Sequence, residues 1–118
     1  MTPNKCIEQV DSVKPNAYGE EDKFRWINDL EGMVQRLVWQ AGAAAPLQYP
    51  DDGDTELLIP YPFEDAYILF MEAMIDYHNR EWDNYNNSVS MFYTRFDEYK
   101  KAYIRENLPK SAGRFKVF

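Results

Sequence analysis

The chain has 118 residues, of which 45% are hydrophobic and 16% aromatic. This length suits one domain with a single core, and so many aromatic residues exclude a chain that is disordered throughout. The net charge of −7 argues against nucleic-acid binding as the main role, because such binding needs clustered Lys and Arg. Cys6 is the only cysteine, so no internal disulfide can form, and we expect a reduced thiol that packs in the core.

Charge is distributed unevenly along the chain. Residues 1–99 hold seven Lys/Arg and nineteen Asp/Glu, a balance of −12, whereas residues 100–118 hold six Lys/Arg and one Glu, a balance of +5. An acidic body with a basic end can dock head-to-tail on a copy of itself or on another acidic surface. The same cations also complement the dipole at a helix C-terminus, so a solvated helix end is the alternative.

The first half of the chain predicts two helices. Thr2 followed by Pro3 is typical of a helix start, and Pro15 ends that helix because it disfavours a helical residue before it. The second helix begins near Glu20, and its apolar residues recur at helical spacing. They are Ile27, Leu30, Val34, Leu37 and Val38, flanked by Trp26, Met33 and Trp39. Gly32 costs this helix about 1 kcal/mol relative to Ala, so we expect a neighbouring helix to approach it closely.

Residues 42–60 predict an irregular loop, because glycines and prolines recur throughout. Long loops in small domains are often functional, and we take the four acidic residues of this loop as candidates for protein contacts. They are Asp51, Asp52, Asp54 and Glu56. The apolar run Leu57-Leu58-Ile59 either pins the loop to the core or pairs as an edge strand with a neighbouring subunit. Pinning is favoured, because a lone strand is marginally stable.

Two further helices are predicted after the loop. The third starts around Pro62 or Phe63, with a core stripe of Ala66, Phe70, Ala73, Met74 and Tyr77, and a turn follows at residues 78–80. The fourth carries an aromatic seam whose members step alternately by three and four residues. The seam consists of Trp82, Tyr85, Val89, Phe92, Phe96, Tyr99 and Tyr103. We expect it to form intramolecular core, with a partner-binding coiled coil as the alternative.

The last nine residues show no helical period. Leu108-Pro109 ends the fourth helix, and residues 110–118 then alternate basic and apolar side chains, which favours an extended arm. Exposed aromatic residues usually find a partner, so the arm supplies further candidate contact residues. They are Lys110, Arg114, Phe115, Lys116 and Phe118. The sequence therefore predicts an all-α fold: a small four-helix domain over residues 1–109, with an extended C-terminal arm over residues 110–118.

Residues that would carry catalysis are sparse. His78 is the only histidine and lies three residues before Glu81, but a di-iron bundle needs two Glu-x-x-His pairs. The five glycines form no phosphate-binding pattern, and no nucleophile motif accompanies His78. No apolar run reaches the roughly 18 residues of a membrane span. We therefore expect no enzymatic activity, no cofactor, no metal and no membrane contact, and we expect a role in binding other proteins.

Several segments together resemble a known family. They are Val10–Asn16 with Lys23, Arg25 and Trp26, then Thr55–Pro60, Tyr77, Tyr85–Ser88, Met91-Phe92, Leu108–Lys110 and Arg114–Lys116. These segments resemble small proteins from the structural-gene clusters of tailed phages and prophages, in the head–tail connector, or adaptor, group. The resemblance extends from about residue 6 to residue 118, and its motifs are structural.

The resemblance implies a structural virion protein that forms a ring beneath the portal, extends the DNA channel and joins the tail. The implied partners are copies of itself, the portal protein and a tail-side adaptor. DNA would pass through the channel without specific binding, since an acidic lining repels phosphate. The implied location is the head–tail junction, after assembly in the bacterial host cytoplasm, with the acidic loop and the arm as contact elements. The alternative is another small helical interaction module, such as a regulator or a different assembly factor.

Overall fold

The computed structural model describes residues 1–107, and this part of the chain folds into four α-helices without a strand. The helices are α1 (Pro3–Val13), α2 (Glu20–Met33), α3 (Ala66–His78) and α4 (Trp82–Glu106), and a π-helical turn, Val34–Val38, continues α2. The predicted all-α fold, with two N-terminal helices, a long loop and two C-terminal helices, is confirmed. The predicted arm, residues 110–118, lies outside the described residues.

Three of the four helix starts follow the local signals in the sequence. Thr2 caps α1, because its hydroxyl accepts the backbone N–H of Lys5 at 3.2 Å. Acidic residues fill the first turn of α2, which begins at Glu20 as predicted. The start of α3 was predicted three to four residues too early. Tight turns over residues 60–66 precede it, with the N–H of Phe63 donating to the carbonyl of Pro60 and that of Ala66 to the carbonyl of Phe63.

The core lies around α3, which contacts α1, α2 and α4. Residues 79–81 join α3 to α4 in a helical hairpin, and Arg80 ends α3 in the left-handed backbone region with φ of 59°. The most deeply buried apolar side chains come from all four helices, and they include Val10, Ile27, Leu30, Met71, Ile75 and Phe92. Cys6 is buried, as predicted, and burial raises the pKa of its thiol to about 12.

Leu37 and Tyr77 were predicted for the core but are exposed. Leu37 is 51% exposed because it lies in the π-helical turn, where Trp39 donates its N–H to the carbonyl of Val34, five residues earlier. This wider turn breaks the 3.6-residue period on which the prediction depended. Tyr77 is 47% exposed, whereas Tyr67, Met71 and Ile75 are buried. A helix packed on more than one side does not show a single apolar stripe.

The predicted neighbour of Gly32 is absent from residues 1–107. A Cβ at this glycine would meet no atom within 4 Å, so the expected close helix contact is wrong. Gly32 instead lines a cavity of about 370 Å³ between α2 and the loop segments 43–47 and 55–58. The close approach of backbone to a neighbouring helix occurs at Gly53, where a Cβ would lie 2.5 Å from the side-chain amide of Asn4.

Candidate interaction surfaces

The acidic loop, residues 51–56, packs against the first turn of α1. The N–H of Asn4 donates to the carbonyl of Gly53 at 3.0 Å, and the Asn4 amide donates to Asp54 Oδ1 at 3.1 Å. Gly53 is buried beneath this contact. The loop tip is therefore attached to the helical body by paired backbone and side-chain hydrogen bonds.

The four candidate carboxylates of this loop have different surroundings. Asp52 accepts the backbone N–H of Gln48 at 2.6 Å, and Glu56 lies 2.7 Å from the amino group of Met1. The hydrogen bond and the charge of that ammonium group lower the pKa of Glu56. Asp51 is exposed, and its side chain makes no hydrogen bond to residues 1–107. Asp52, Asp54 and Glu56 thus shape the loop itself, and Asp51 is the one candidate carboxylate of the loop whose side chain has no hydrogen bond within residues 1–107.

A buried carboxylate fastens the second half of the loop. Glu31, on α2, accepts the backbone N–H of Leu58 at 3.0 Å and the hydroxyl of Tyr67, and that hydroxyl accepts the N–H of Ile59 at 2.8 Å. Burial raises the pKa of Glu31, because desolvation outweighs these hydrogen bonds. Leu57 and Ile59 are buried on either side of this contact. The apolar run therefore pins the loop to the core, the reading that the sequence favoured.

Exposed aromatic rings gather at the turn between α3 and α4. The rings of Tyr77 and Trp82 lie 5.7 Å apart, those of Tyr77 and Tyr85 lie 5.6 Å apart, and Trp82 and Tyr85 meet edge-on at 6.4 Å. Trp82 is 51% exposed. We call Tyr77, Trp82 and Tyr85 the aromatic surface. Amphipathic rings of this kind are enriched where proteins meet partners.

His78 joins this surface to the core. Its ring stacks on Trp26 at 5.3 Å with an interplanar angle of 11°, and it meets Tyr77 at 5.3 Å. Tyr18 contacts both Trp26 and His78 and donates its hydroxyl to Asn79 at 2.8 Å. Within residues 1–107, no group of three or more His, Cys, Asp or Glu side chains could hold a metal ion. The exposed His78 thus contacts the buried Trp26 on one side and Tyr77 of the aromatic surface on the other.

Buried ion pairs hold the base of the hairpin in place. Asp76 is fully buried and accepts Lys14 Nζ at 2.6 Å and the hydroxyl of Ser88 at 2.9 Å. These bonds join α1, α3 and α4 just below the aromatic surface. Lys23 is also buried and lies 2.6 Å from Asp11. The Lys23–Asp11 pair joins α1 and α2, whereas the Lys14–Asp76 pair positions the hairpin, because breaking it would leave the buried charge of Asp76 without compensation.

The aromatic seam of α4 is exposed at the start of the helix and buried at its centre. Phe92, Phe96 and Tyr99 are buried, which confirms the predicted intramolecular core for the centre of the seam. Trp82 does not follow the prediction, because its side chain is 51% exposed beside Tyr77 and Tyr85. The coiled-coil alternative is wrong for the buried centre, since those side chains are already covered within one chain.

A second aromatic site, the terminal groove, lies at the other end of α4. It has a volume of about 260 Å³ and is lined by Trp39, by Leu58 and Pro60–Phe63 of the loop, and by Tyr99, Ala102, Tyr103 and Glu106 of α4. Trp39 Nε1 donates to the hydroxyl of Tyr99 at 3.1 Å, and the Trp39 ring stacks on Tyr103 at 6.0 Å. Tyr61 is 83% exposed. The sequence could not reveal this groove, because its walls come from three separate segments.

The other predicted contact residues lie outside the described part of the chain. They are Lys110, Arg114, Phe115, Lys116 and Phe118. The structure therefore brings together the carboxylates of the acidic loop. A contact between these carboxylates and the basic residues of the arm stays a prediction. None of the helices in residues 1–107 is long and apolar enough to cross a membrane. Comparisons with models of protein families, with curated proteins and with solved structures found no match.

Proposed function

We propose that this protein is a head–tail connector of a tailed phage or prophage, a structural virion protein that forms a ring on the portal and joins the tail. The resemblance of residues 6–118 supplies the role. The observation on which the proposal rests is the aromatic surface, in which Tyr77 is 47% and Trp82 51% exposed. Exposed aromatic clusters of this kind mark sites of protein association.

The charge of the helical body supports the same role. Residues 1–99 carry a balance of −12, and the acidic loop is held to α1 in one conformation by Asn4. Copies arranged in a ring would present this charge repeatedly along a channel. DNA phosphates would then be repelled instead of bound, so the genome could slide through without specific contacts.

The contacts of the assembled ring divide between two kinds of surface. We assign the aromatic surface and Asp51 to contacts with the portal protein, the tail-side adaptor or a neighbouring copy. The basic residues Lys110, Arg114 and Lys116 complement the acidic body of such a neighbour. No catalytic activity, cofactor or metal takes part in this role.

Templated assembly tests the proposal. The protein is mixed with the portal ring from its own genome, and complexes are separated by size and imaged. We expect extra ring density on the portal, which Trp82→Ala abolishes because it removes the largest ring of the aromatic surface. Tyr93→Ala is the matched control, since Tyr93 is an equally exposed aromatic residue of α4 outside that surface, at 52% exposure. Absence of binding to an intact portal would refute the connector role.

The aromatic surface also supports the second candidate, a helical interaction module of a different kind. Such a module would form a stable dimer or hetero-complex without a portal. Because Phe92, Phe96 and Tyr99 are buried, its interface would involve the aromatic surface and not the centre of the seam. Light scattering on the protein alone distinguishes the two: a portal-independent dimer that Trp82→Ala dissociates favours the module.

A further inference from the structure

The terminal groove has aromatic walls that range from buried Tyr99 to exposed Tyr61. Trp39 and Tyr103 form a stacked pair on one side, Phe63 lies 6.0 Å from Tyr99, and Tyr61 projects into solvent. Glu106 is at the rim. The volume of about 260 Å³ has room for a bulky side chain. Such walls bind aromatic rings edge-to-face and hold cations against their π-faces.

The end of the chain begins at this groove. Glu106 lines it, and residues 108–118 follow after Asn107. Phe115 lies nine positions after Glu106, and a chain of that length spans up to about 30 Å when extended. That reach is more than enough to return to Trp39 or Tyr61. A segment tethered so closely has an effective local concentration in the millimolar range, which favours it over a second copy.

The chemistry of this segment matches the groove. Phe115 and Phe118 offer aromatic rings, and Lys110, Arg114 and Lys116 offer cations. Tyr and Trp faces attract such cations, Arg in particular, and Glu106 adds a carboxylate at the rim. The neighbouring cations Lys101 and Arg105 belong to α4 but do not line the groove, so they leave its aromatic walls open to a basic segment.

We propose that the terminal groove binds residues 110–118 of the same chain, with a Phe ring between the aromatic walls and basic side chains against Tyr61 and Glu106. This contact is intramolecular and does not depend on the connector role. It would keep the basic segment on its own body until a partner displaces it. An assembly that needs the segment elsewhere would therefore begin by opening this contact.

Spin labelling tests the contact in the full chain. Cys6 is buried and its thiol pKa is raised to about 12, so a label added to Ser111→Cys reacts there selectively. The readout is the indole N–H signal of each Trp in the nitrogen-15 spectrum. We expect loss of the Trp39 signal, while Trp82 keeps its signal because the 25 residues of α4 place it about 37 Å away.

Matched variants separate docking from mere proximity. Tyr61→Ala removes a wall residue that is 83% exposed, and Phe115→Ala with Phe118→Ala removes both rings of the segment. Either change should restore the Trp39 signal, and the control Tyr93→Ala should not. A Trp39 signal that the label removes equally in all four proteins would overturn the proposal, since a free tether then explains it.

Mixed samples distinguish the same chain from a second copy. Spin-labelled protein without nitrogen-15 is added to nitrogen-15 protein without the label. An intact Trp39 signal in this mixture supports the intramolecular contact. Loss of the signal in the mixture would overturn it in favour of docking between copies. Both results are independent of the portal, so they leave the proposed function to its own test.

Discussion

At the scale of single residues, Glu31 shows how a buried charge can organise a loop. Its carboxylate receives the N–H of Leu58 and the hydroxyl of Tyr67, which would otherwise be buried donors without acceptors. Each such orphaned group costs about 1–3 kcal/mol. The carboxylate itself is desolvated, which raises its pKa. Glu31 therefore holds the loop in position through its hydrogen bonds. Burying its charge costs free energy, and this cost depends on pH because the carboxylate can be protonated.

Glu31→Gln should flatten that pH dependence. With its pKa raised from 4.5 in the folded state, Glu31 binds a proton more tightly there than in the unfolded chain. Its contribution to stability is present below pH 4.5 and is lost as the pH rises through the raised value. We expect the difference in unfolding free energy between wild type and Glu31→Gln to change across this window, as measured by urea titrations. A difference that is constant from pH 4 to pH 8 would contradict the assignment.

Phe92→Ala should be strongly destabilising. Phe92 is 1% exposed and contacts Phe70 at 5.1 Å and Phe96 at 5.5 Å. Large-to-small changes of this kind cost about 3–5 kcal/mol, and chemical denaturation measures the loss. The adjacent Tyr93→Ala should cost under about 1 kcal/mol, because surface changes have small effects. A loss under about 1 kcal/mol for Phe92→Ala would mean that the seam is not core.

At the scale of elements, the loop and the α3–α4 hairpin are held to the other helices by polar contacts that the apolar periodicity of a helix does not predict. The long loop is attached to the helices at several points, including Asn4 of α1 at Gly53, Asn28 of α2 at Leu47 and Glu31 of α2 at Leu58. The α3–α4 hairpin is attached to α1 through Lys14 and Asp76. Side-chain hydrogen bonds and ion pairs, in addition to apolar packing, therefore determine where the loop and the turn lie.

The two glycines Gly32 and Gly53 should respond oppositely to alanine. Gly32→Ala places a methyl group in open space and restores helix propensity, so we expect a gain of up to about 1 kcal/mol. Gly53→Ala places the methyl group 2.5 Å from Asn4, so the loop or the Asn4 side chain must shift and stability should fall. Thermal denaturation compares the two. A loss of stability with Gly32→Ala would show that a neighbour fills the space in solution.

At the scale of the whole molecule, the described residues form a complete helical body with aromatic sites at opposite ends of α4. The aromatic surface lies at its start and the terminal groove at its end. The predicted boundary at residue 109 follows the last described helix, which ends at Glu106. Because the two sites lie at separate ends of the helix, a partner bound at the aromatic surface would leave the terminal groove open to residues 110–118, as we propose.

Removing residues 110–118 should leave the fold in place but abolish assembly. The buried apolar side chains that form the core of the described residues lie between Cys6 and Tyr99, so we expect unchanged helicity by circular dichroism and a stability change within about 1 kcal/mol. Binding to the portal ring should be lost with the basic and aromatic side chains of the arm. An unfolded truncated protein would instead show that the arm belongs to the core.

The sequence by itself determined the helices and the acidic loop, because their signals are local. Thr2 and Pro3 start α1, Pro15 prevents its continuation, and the three-four spacing identifies α4. The acidic composition of residues 51–56 likewise identified this loop as a candidate for protein contacts. Each of these features depends on neighbours within one or two turns of the chain.

Only the tertiary structure decided which side chains remain at the surface and which carboxylates accept hydrogen bonds from other segments of the chain. Tyr77 and Trp82 fit core stripes by spacing, yet they are exposed where the hairpin turns, and Leu37 leaves the core because a π-helical turn shifts the period. Asp54 and Glu31 find partners 50 and 27 residues away. Burial and pairing depend on contacts between segments that are distant in the chain, and periodicity along a single helix carries no information about them.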